Sequence, residues 1–213
     1  KVNVSIPEAA SRAAATGADG VGLLRIEHLI LGLNKTPGWF ITNNREEDFV
    51  KELHDGIKIV LDAFPGKPVW VRTLDAPTDE FRNMMGGENE PLEHNPMLGW
   101  RGIRRDIQSP DQFRLQVESF KRLWKEGYDN LGIMFPMVSH PDEFICARSM
   151  MEEWGLPLKS IETSGASSYC RMPLRAPSAA ALNAAFTSAM VVAFSTSTVS
   201  SVSETSGVGT RTE

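Results

Sequence analysis

The stretch Val69-Trp-Val-Arg-Thr-Leu-Asp75 decides the fold that this sequence predicts. Its first three residues are β-branched or aromatic and follow Gly66-Lys-Pro68, which is how a buried strand begins. Such a strand delivers Arg72 and Asp75 at its C-terminal end, where parallel α/β sheets place their chemistry. We therefore expect a candidate site at this end of the strand.

A long segment, residues 76–100, follows this strand. It is rich in Gly, Pro and Asn, yet it also carries large apolar residues such as Phe81 and Trp100. Loops of this length in compact domains are usually functional or disordered, and this one has enough apolar surface to pack. We expect an active-site loop that packs over the site and orders further when ligand binds. Beyond it, we interpret Arg104 and Arg105 as surface or phosphate-steering charges.

Strand and helix patterns alternate on both sides of this stretch. The other predicted strands lie near residues 1–5, 18–24 and 131–135. Capping-box patterns at Ser5, Ser109 and Ser139 begin three helices, and an amphipathic pattern from Phe49 to Val60 marks a fourth. This order indicates a parallel sheet covered by helices, and periodicity leaves open whether the sheet closes as a barrel or stays open as a doubly wound fold.

Three motifs, in this order, resemble one known family. They are Gly20-Val-Gly-Leu-Leu-Arg-Ile-Glu-His28, the string from Thr78-Asp-Glu-Phe-Arg-Asn83 to Asn95-Pro-Met-Leu-Gly-Trp-Arg-Gly102, and Gly132-Ile-Met-Phe-Pro-Met-Val-Ser139. Together they resemble the phosphoenolpyruvate (PEP) synthases of the PEP-utilising enzyme family, in their C-terminal PEP/pyruvate-binding barrel domain. The resemblance implies an α/β fold of the (β/α)8 TIM-barrel type, incomplete here with about six of the eight strands.

The resemblance covers residues 1–159, which we assign to the PEP/pyruvate-binding barrel portion. From Ser160 onward charged residues become sparse and Ser, Thr and Ala dominate. We interpret residues 160–213 as a divergent continuation of the barrel, and we expect residues 203–213 to be unstructured. By the family pattern, the chain stops before the last strands, one of which carries the cysteine thought to act as acid or base.

The resemblance also implies a reaction and a set of substrate-binding residues. The family transfers a phosphoryl group from a phosphohistidine on a mobile domain to the enol oxygen of pyruvate, in an ATP-dependent transferase reaction of gluconeogenesis. By motif match, Arg25, Arg72 and Arg101 would clamp substrate, because a guanidinium group binds carboxylate or phosphate in bidentate fashion. The alternative for each arginine is a structural pairing with a nearby carboxylate such as Glu27 or Asp75.

The family's cofactors and carrier domain are expected to be missing from this chain. Its magnesium ligands would fall at Arg175 and Ser200, and an arginine cannot bind a cation, so retention of magnesium is doubtful. None of the four histidines lies in the family's carrier context, so the phosphohistidine domain and the ATP-binding domain would lie outside this chain. We therefore predict that the chain alone does not synthesise PEP.

Two other functions stay open. The first is a non-catalytic remnant that keeps the arginine clamp or a dimer surface and serves as an anion-binding or assembly module. The second is the related domain of pyruvate phosphate dikinase or of enzyme I of the sugar phosphotransferase system, which shares parts of the same motifs. The resemblance also allows a homodimer.

Composition limits the possible partners, the roles of the cysteines and the expected location. A formal net charge of −5 with interspersed signs gives no basic stripe, so we expect no nucleic-acid partner and no membrane partner. Cys146 and Cys170 form no disulfide or metal pattern, and we expect Cys146 to be buried. No secretory signal or long apolar run is visible, so we expect a cytoplasmic location.

Overall fold

The structure, a computed structural model, describes residues 1–158, 161–167 and 174–175. Its centre is a sheet of six strands that lie side by side in chain order, from β1 at one edge to β6 at the other. The first five strands are parallel to one another. The strands are β1 (Val2–Val4), β2 (Val21–Arg25), β3 (Val69–Arg72), β4 (Leu131–Val138), β5 (Glu162–Ser167) and β6 (Leu174–Arg175).

Helices connect the parallel strands. A right-handed crossover between neighbouring parallel strands always carries the connecting helix to the same face of the sheet. The helices are α1 (Ala10–Ala15), α2 (Glu27–Gly32), α3 (Pro37–Thr42), α4 (Glu46–Ala63), α5 (Thr78–Arg82), α6 (Ile103–Gln108), α7 (Pro110–Lys125) and α8 (Pro141–Glu153), with 3₁₀ turns at Pro7–Ala9 and Pro96–Leu98.

The strand order answers part of the question that periodicity left open. A doubly wound fold needs a reversal of strand order at its switch point, and the described strands show none. The α/β class and the parallel arrangement of the first five strands are therefore confirmed, and the sequential strand order is consistent with a barrel-like sheet. The sheet is not closed within the part of the chain that the structure describes, so a complete TIM barrel stays a prediction.

The two faces of the sheet differ in burial. Val69 and Val71 are fully buried, while the alternate residues Trp70 and Arg72 are half-buried. The buried side packs on the apolar faces of the helices. On α4 these include the positions from Phe49 to Val60 that the sequence pattern predicted, and α7 presents a similar buried face. On the other side a Cβ placed on Gly132 would lie 2.9 Å from the Trp70 ring. The indole therefore lies directly against the glycine of the next strand.

The sixth strand departs from the predicted barrel. β6 pairs with β5 in the antiparallel direction, with Ser164 opposite Arg175. Only residues 168–173 separate the two strands, which is too short for a parallel crossover of a dozen or more residues. The prediction of parallel strands throughout is therefore wrong at this position.

Three local predictions are also wrong. The expected capping boxes at Ser5 and Ser109 do not form, because neither side chain caps a helix. Cys146 is exposed, since it lies on the opposite side of α8 from the face that packs on the sheet.

Helix α8 begins where the sequence analysis placed it, but the capping residue is His140 and not the expected Ser139. His140 N donates to the Glu143 carboxylate at 3.1 Å, and His140 Nδ1 accepts from Asp142 N at 3.3 Å. His140 is therefore a structural cap. None of the described helices has both the length and the apolar character needed to cross a bilayer.

Candidate functional site

Two arginines stand side by side at the C-terminal ends of neighbouring strands. Arg25 is the last residue of β2 and Arg72 is the last residue of β3, and the two are paired in register. Paired residues point to the same face of a sheet, with strands about 4.8 Å apart. Adjacent like charges on a sheet are unfavourable. Their placement is the kind of local conflict that marks functional positions.

Two carboxylates compensate part of this charge. Glu27, just after β2, accepts from Arg72 Nη2 at 2.9 Å and from the backbone N–H of Asp75 at 3.0 Å. Asp75 lies 3.3 Å from Arg72 Nη1 through its Oδ2. Arg72 is therefore held between two carboxylates, and the structural pairing considered above for this arginine is present.

Arg101 reaches the same cluster from the far end of the long loop. Its Nε donates to Asp75 Oδ1 at 2.8 Å, and its Nη2 donates to the Asp75 carbonyl at 2.9 Å. Its Nη1 lies 3.5 Å from the Met97 sulfur. Asp75 thus joins Arg72 to Arg101, so residues that are 29 positions apart in the sequence meet at one edge of the sheet.

Arg25 differs from the other two arginines. Its Nη1 donates to the Ser5 hydroxyl at 3.3 Å. Within the described residues no carboxylate forms an ion pair with it. The cluster of Arg25, Arg72, Arg101, Glu27 and Asp75, which we call the arginine cluster, has three cationic groups against two anionic groups.

The arginine cluster is largely withdrawn from water. The side chains of Glu27 and Asp75 are 9% and 6% exposed, and those of Arg72 and Arg101 are 18% and 11% exposed. Arg72 Nε and Glu27 Oε2 are buried and have no hydrogen-bond partner among the described residues. Buried polar atoms are nearly always paired, so Arg72 keeps an unused donor beside an excess of positive charge.

The long loop packs down beside this cluster. Phe81 is fully buried and Met84 is 7% exposed, and the loop is tied to the rest of the fold by backbone hydrogen bonds between Thr36 N and Met85 O and between Met85 N and Asn34 O. Apolar packing of the loop is therefore confirmed only in part, because Met85, Met97 and Leu98 are 49%, 63% and 61% exposed. Its further ordering by ligand stays a prediction.

The interpretation of Arg105 as a surface charge is wrong. Its side chain is 2% exposed and pairs with Glu90. Arg104 donates to the carbonyls of Leu98 and Gly99, each at 3.0 Å. Sequence reasoning missed Arg105 because its partner lies fifteen residues earlier in a loop without periodicity.

A second buried polar group lies behind the β3 strand end. Asp106 Oδ1 accepts from Gln116 Nε2 at 3.0 Å, and Gln116 Oε1 accepts from the backbone N–H of Leu74 at 2.9 Å. Burial raises the pKa of Asp106 to about 7. Gln116 therefore connects a carboxyl that titrates near neutral pH to the turn between Arg72 and Asp75.

The positions expected for the family's magnesium ligands, Arg175 and Ser200, stay predictions. Ser200 lies outside the described residues, and only the backbone of Arg175 is described. Within the described residues, no three His, Cys, Asp or Glu side chains are grouped so that they could hold a metal ion. Glu27 and Asp75 are both bound to guanidinium groups, so this donor set does not fit a magnesium ion.

Comparison with known proteins points to one family. The sequence profile of the PEP-binding domain of PEP-utilising enzymes matches residues 1–198. The chain is 59% identical over 162 residues to a probable phosphoenolpyruvate synthase of Methanocaldococcus jannaschii, which covers 76% of this chain and 14% of that protein.

Two further relatives agree. A probable phosphoenolpyruvate synthase of Methanothermobacter thermautotrophicus is 56% identical over 163 residues, covering 76% of this chain and 24% of that protein. The phosphoenolpyruvate synthase of Pyrococcus furiosus is 55% identical over 156 residues, covering 73% of this chain and 19% of that protein. The chain spans less than a quarter of the length of each of these proteins. By its profile match, the chain belongs to the PEP-binding domain family of the PEP-utilising enzymes.

Proposed function

We propose that this chain is the PEP/pyruvate-binding part of a phosphoenolpyruvate synthase and that Arg25, Arg72 and Arg101 bind the carboxylate and phosphate oxygens of the ligand. The observation that carries the proposal is the in-register pair Arg25 and Arg72 at the strand ends, with Arg101 joined to it through Asp75. Three guanidinium groups at one edge supply the bidentate donors that carboxylate and phosphate oxygens prefer.

The local charges favour a multiply charged anion. Within the arginine cluster two carboxylates neutralise two of the three guanidinium groups, which leaves one positive charge. Glu80 also interacts with Arg101, and burial raises the pKa of Glu80, which favours its neutral form. In this partly dehydrated site the remaining positive charge acts more strongly than it would in water. The buried Arg72 Nε has no partner among the described residues, and a ligand oxygen would satisfy it. Arg25, whose described partner is a hydroxyl, is the natural first contact for an incoming anion.

The role of these residues in the reaction is positioning and electrostatic stabilisation. In the whole enzyme the phosphoryl group passes from a phosphohistidine to the enol oxygen of pyruvate, and negative charge collects on carboxylate, enolate and phosphoryl oxygens. Fixed cations aimed at developing charge are the main source of catalysis in such transfers. Arg72 and Arg101 are held by Glu27 and Asp75, so their guanidinium groups pay little reorganisation cost.

The carrier histidine, the ATP site, a homodimer and a cytoplasmic location stay predictions for the whole protein. So does the lack of PEP synthesis by this chain alone. Adding pyruvate, ATP and magnesium to the purified chain tests that last prediction, and turnover would refute it.

A second candidate function is anion binding without metal. Its basis is that Glu27 and Asp75, the two carboxylates of the arginine cluster, are both paired with arginines. Titrating the chain with oxalate in the presence and absence of magnesium separates the two. Affinity that requires magnesium favours retained chemistry, whereas equal affinity favours the metal-free module.

Calorimetric titration with PEP is the direct test of the proposed function. We expect measurable binding by the 213-residue chain and a loss of at least tenfold in affinity for Arg72→Lys, because lysine cannot reproduce the planar fork. Arg114→Lys, an exposed position on α7, is the matched control and should leave the affinity unchanged. Equal affinity in all three proteins would refute the proposal.

A further inference from the structure

A buried ion pair lies beneath the long loop. Arg105 on α6 binds the Glu90 carboxylate with both terminal nitrogens, Nη1 to Oε2 at 2.9 Å and Nη2 to Oε1. The two side chains are 2% and 8% exposed. A buried ion pair is weak evidence for net stability, because desolvation offsets much of the attraction. The Arg105–Glu90 pair is therefore better explained by the positions that it fixes than by its contribution to stability.

Two aromatic rings of the loop lie close to the same guanidinium group. The Arg105 guanidinium carbon lies 4.5 Å from the ring centroid of Phe81 and 4.5 Å from that of Trp100. Arg105 consequently contacts the loop near its start, in its middle through Glu90, and at its end. Phe81 is fully buried, so this end of the arrangement is fixed by the core.

A second carboxylate closes the loop. Glu93 accepts from the Thr78 hydroxyl at 2.8 Å and from the backbone N–H of Trp100 at 2.9 Å. Trp100 is thus held through its backbone by Glu93 and through its ring by Arg105. The next residue in the chain is Arg101, whose guanidinium group joins the arginine cluster.

We propose that Glu90 and Arg105 are positioning residues for Arg101. The bidentate pair fixes Trp100, and the fixed Trp100 aims the Arg101 guanidinium group at Asp75 and at the ligand anion. This inference rests on the proposed PEP-binding function. It assigns the buried pair to ligand affinity, in addition to any contribution to folding.

The proposal depends on the shape of the Arg105 side chain as well as on its charge. A planar guanidinium group can bind a carboxylate with two parallel hydrogen bonds while it also lies over aromatic rings. A lysine ammonium group is a point charge that can do neither. Arg105→Lys therefore keeps the charge and removes the geometry.

The test compares Arg105→Lys with a matched control in the full 213-residue chain. Arg122 forms an equally bidentate pair with Glu47, at 2.6 and 2.7 Å, on the exposed side of α4 and α7. Arg122→Lys therefore removes the same geometry away from the loop. The readouts are PEP affinity, the thermal midpoint and the rate at which phenylglyoxal labels Arg101, mapped by mass spectrometry.

For Arg105→Lys we expect PEP affinity at least tenfold weaker and Arg101 labelling at least threefold faster, in protein whose thermal transition shows that it is folded. Arg122→Lys should change both by less than twofold. Wild-type affinity and wild-type labelling in Arg105→Lys would overturn the proposal. So would the same changes in the Arg122 control.

A second variant covers the case in which Arg105→Lys does not fold. Trp100→Leu removes the ring through which Arg105 acts on Arg101 and leaves the ion pair in place, so it should change affinity and labelling in the same direction by comparable factors. Unchanged labelling there would overturn the proposal. If the wild-type chain binds no PEP, the proposed function fails. The labelling rates still decide whether the pair positions Arg101, because they need no ligand.

Discussion

Replacing Asp106 by asparagine should stabilise this protein at neutral pH. Asp106 is a buried carboxyl on α6 whose Oδ1 accepts from Gln116 Nε2 at 3.0 Å. Its other oxygen forms no hydrogen bond of ordinary geometry among the described residues, although the nearby Thr73 hydroxyl acts to lower the pKa against the larger effect of burial. Burial disfavours the charged form and raises the pKa of Asp106 from 3.8 to about 7.

The sign of the effect follows from the two pKa values. Below pH 4 the carboxyl is protonated in both the folded and the unfolded states. As the pH rises from 4 to 7 the unfolded state releases the proton while the folded state retains it, so the free energy of unfolding falls. At 1.36 kcal/mol for each unit, the loss amounts to about 4 kcal/mol, and it is complete slightly above pH 7.

Asparagine removes this loss because it cannot ionise, while its carbonyl oxygen can still accept from Gln116. We expect Asp106→Asn to be more stable than the wild type by up to about 4 kcal/mol at pH 7.5, with a difference that shrinks toward zero near pH 4. Urea unfolding at several pH values measures this, with Asp129→Asn, at an exposed position, as the control. A difference that does not depend on pH, or a variant less stable than the wild type at pH 7.5, would refute the reasoning.

Two other substitutions test the site and the sheet. Glu27→Gln has two opposing effects on PEP binding: it removes a negative charge, which favours the anion, and it weakens the charged hydrogen bond that orients Arg72, which is worth roughly 1.5–3 kcal/mol. We expect the lost orientation of Arg72 to dominate and the affinity measured by calorimetry to fall; unchanged or higher affinity would contradict this. Gly132→Ala should lower the free energy of unfolding by about 1–3 kcal/mol, because the new methyl group would lie 2.9 Å from the Trp70 ring. Urea unfolding measures this. A midpoint equal to that of the wild type would show that the indole moves without cost.

Local pattern was sufficient for much of the fold. The β-branched run that ends in Arg72 predicted strand β3, and the helical spacing from Phe49 to Val60 predicted helix α4. A helix was also expected after Ser109, and α7 begins there. These signals are periodic and short-range, so they can be read without knowing the partners of a residue. The order of strands follows because each helix returns the chain to the neighbouring position in a parallel sheet.

The side-chain contacts of the candidate site could be predicted from the sequence only in part. The approach of Glu27 to Arg72 depends on strand register, which sequence spacing does not specify. The burial of Arg105 depends on a loop whose shape is set by the contacts of Glu90 and Glu93. The direction of β6 is set by the short connection that precedes it. Each of these features rests on long-range contacts, and periodicity carries no information about them.

The most direct test of the central claim is a nuclear magnetic resonance titration of the 213-residue chain with PEP, observing the side-chain Nε–H signals of the arginines. The account predicts that the signals of Arg25, Arg72 and Arg101 shift together with a single dissociation constant, while that of the exposed Arg114 does not move. Shifts confined to arginines outside the arginine cluster, or no shift at saturating PEP, would contradict it.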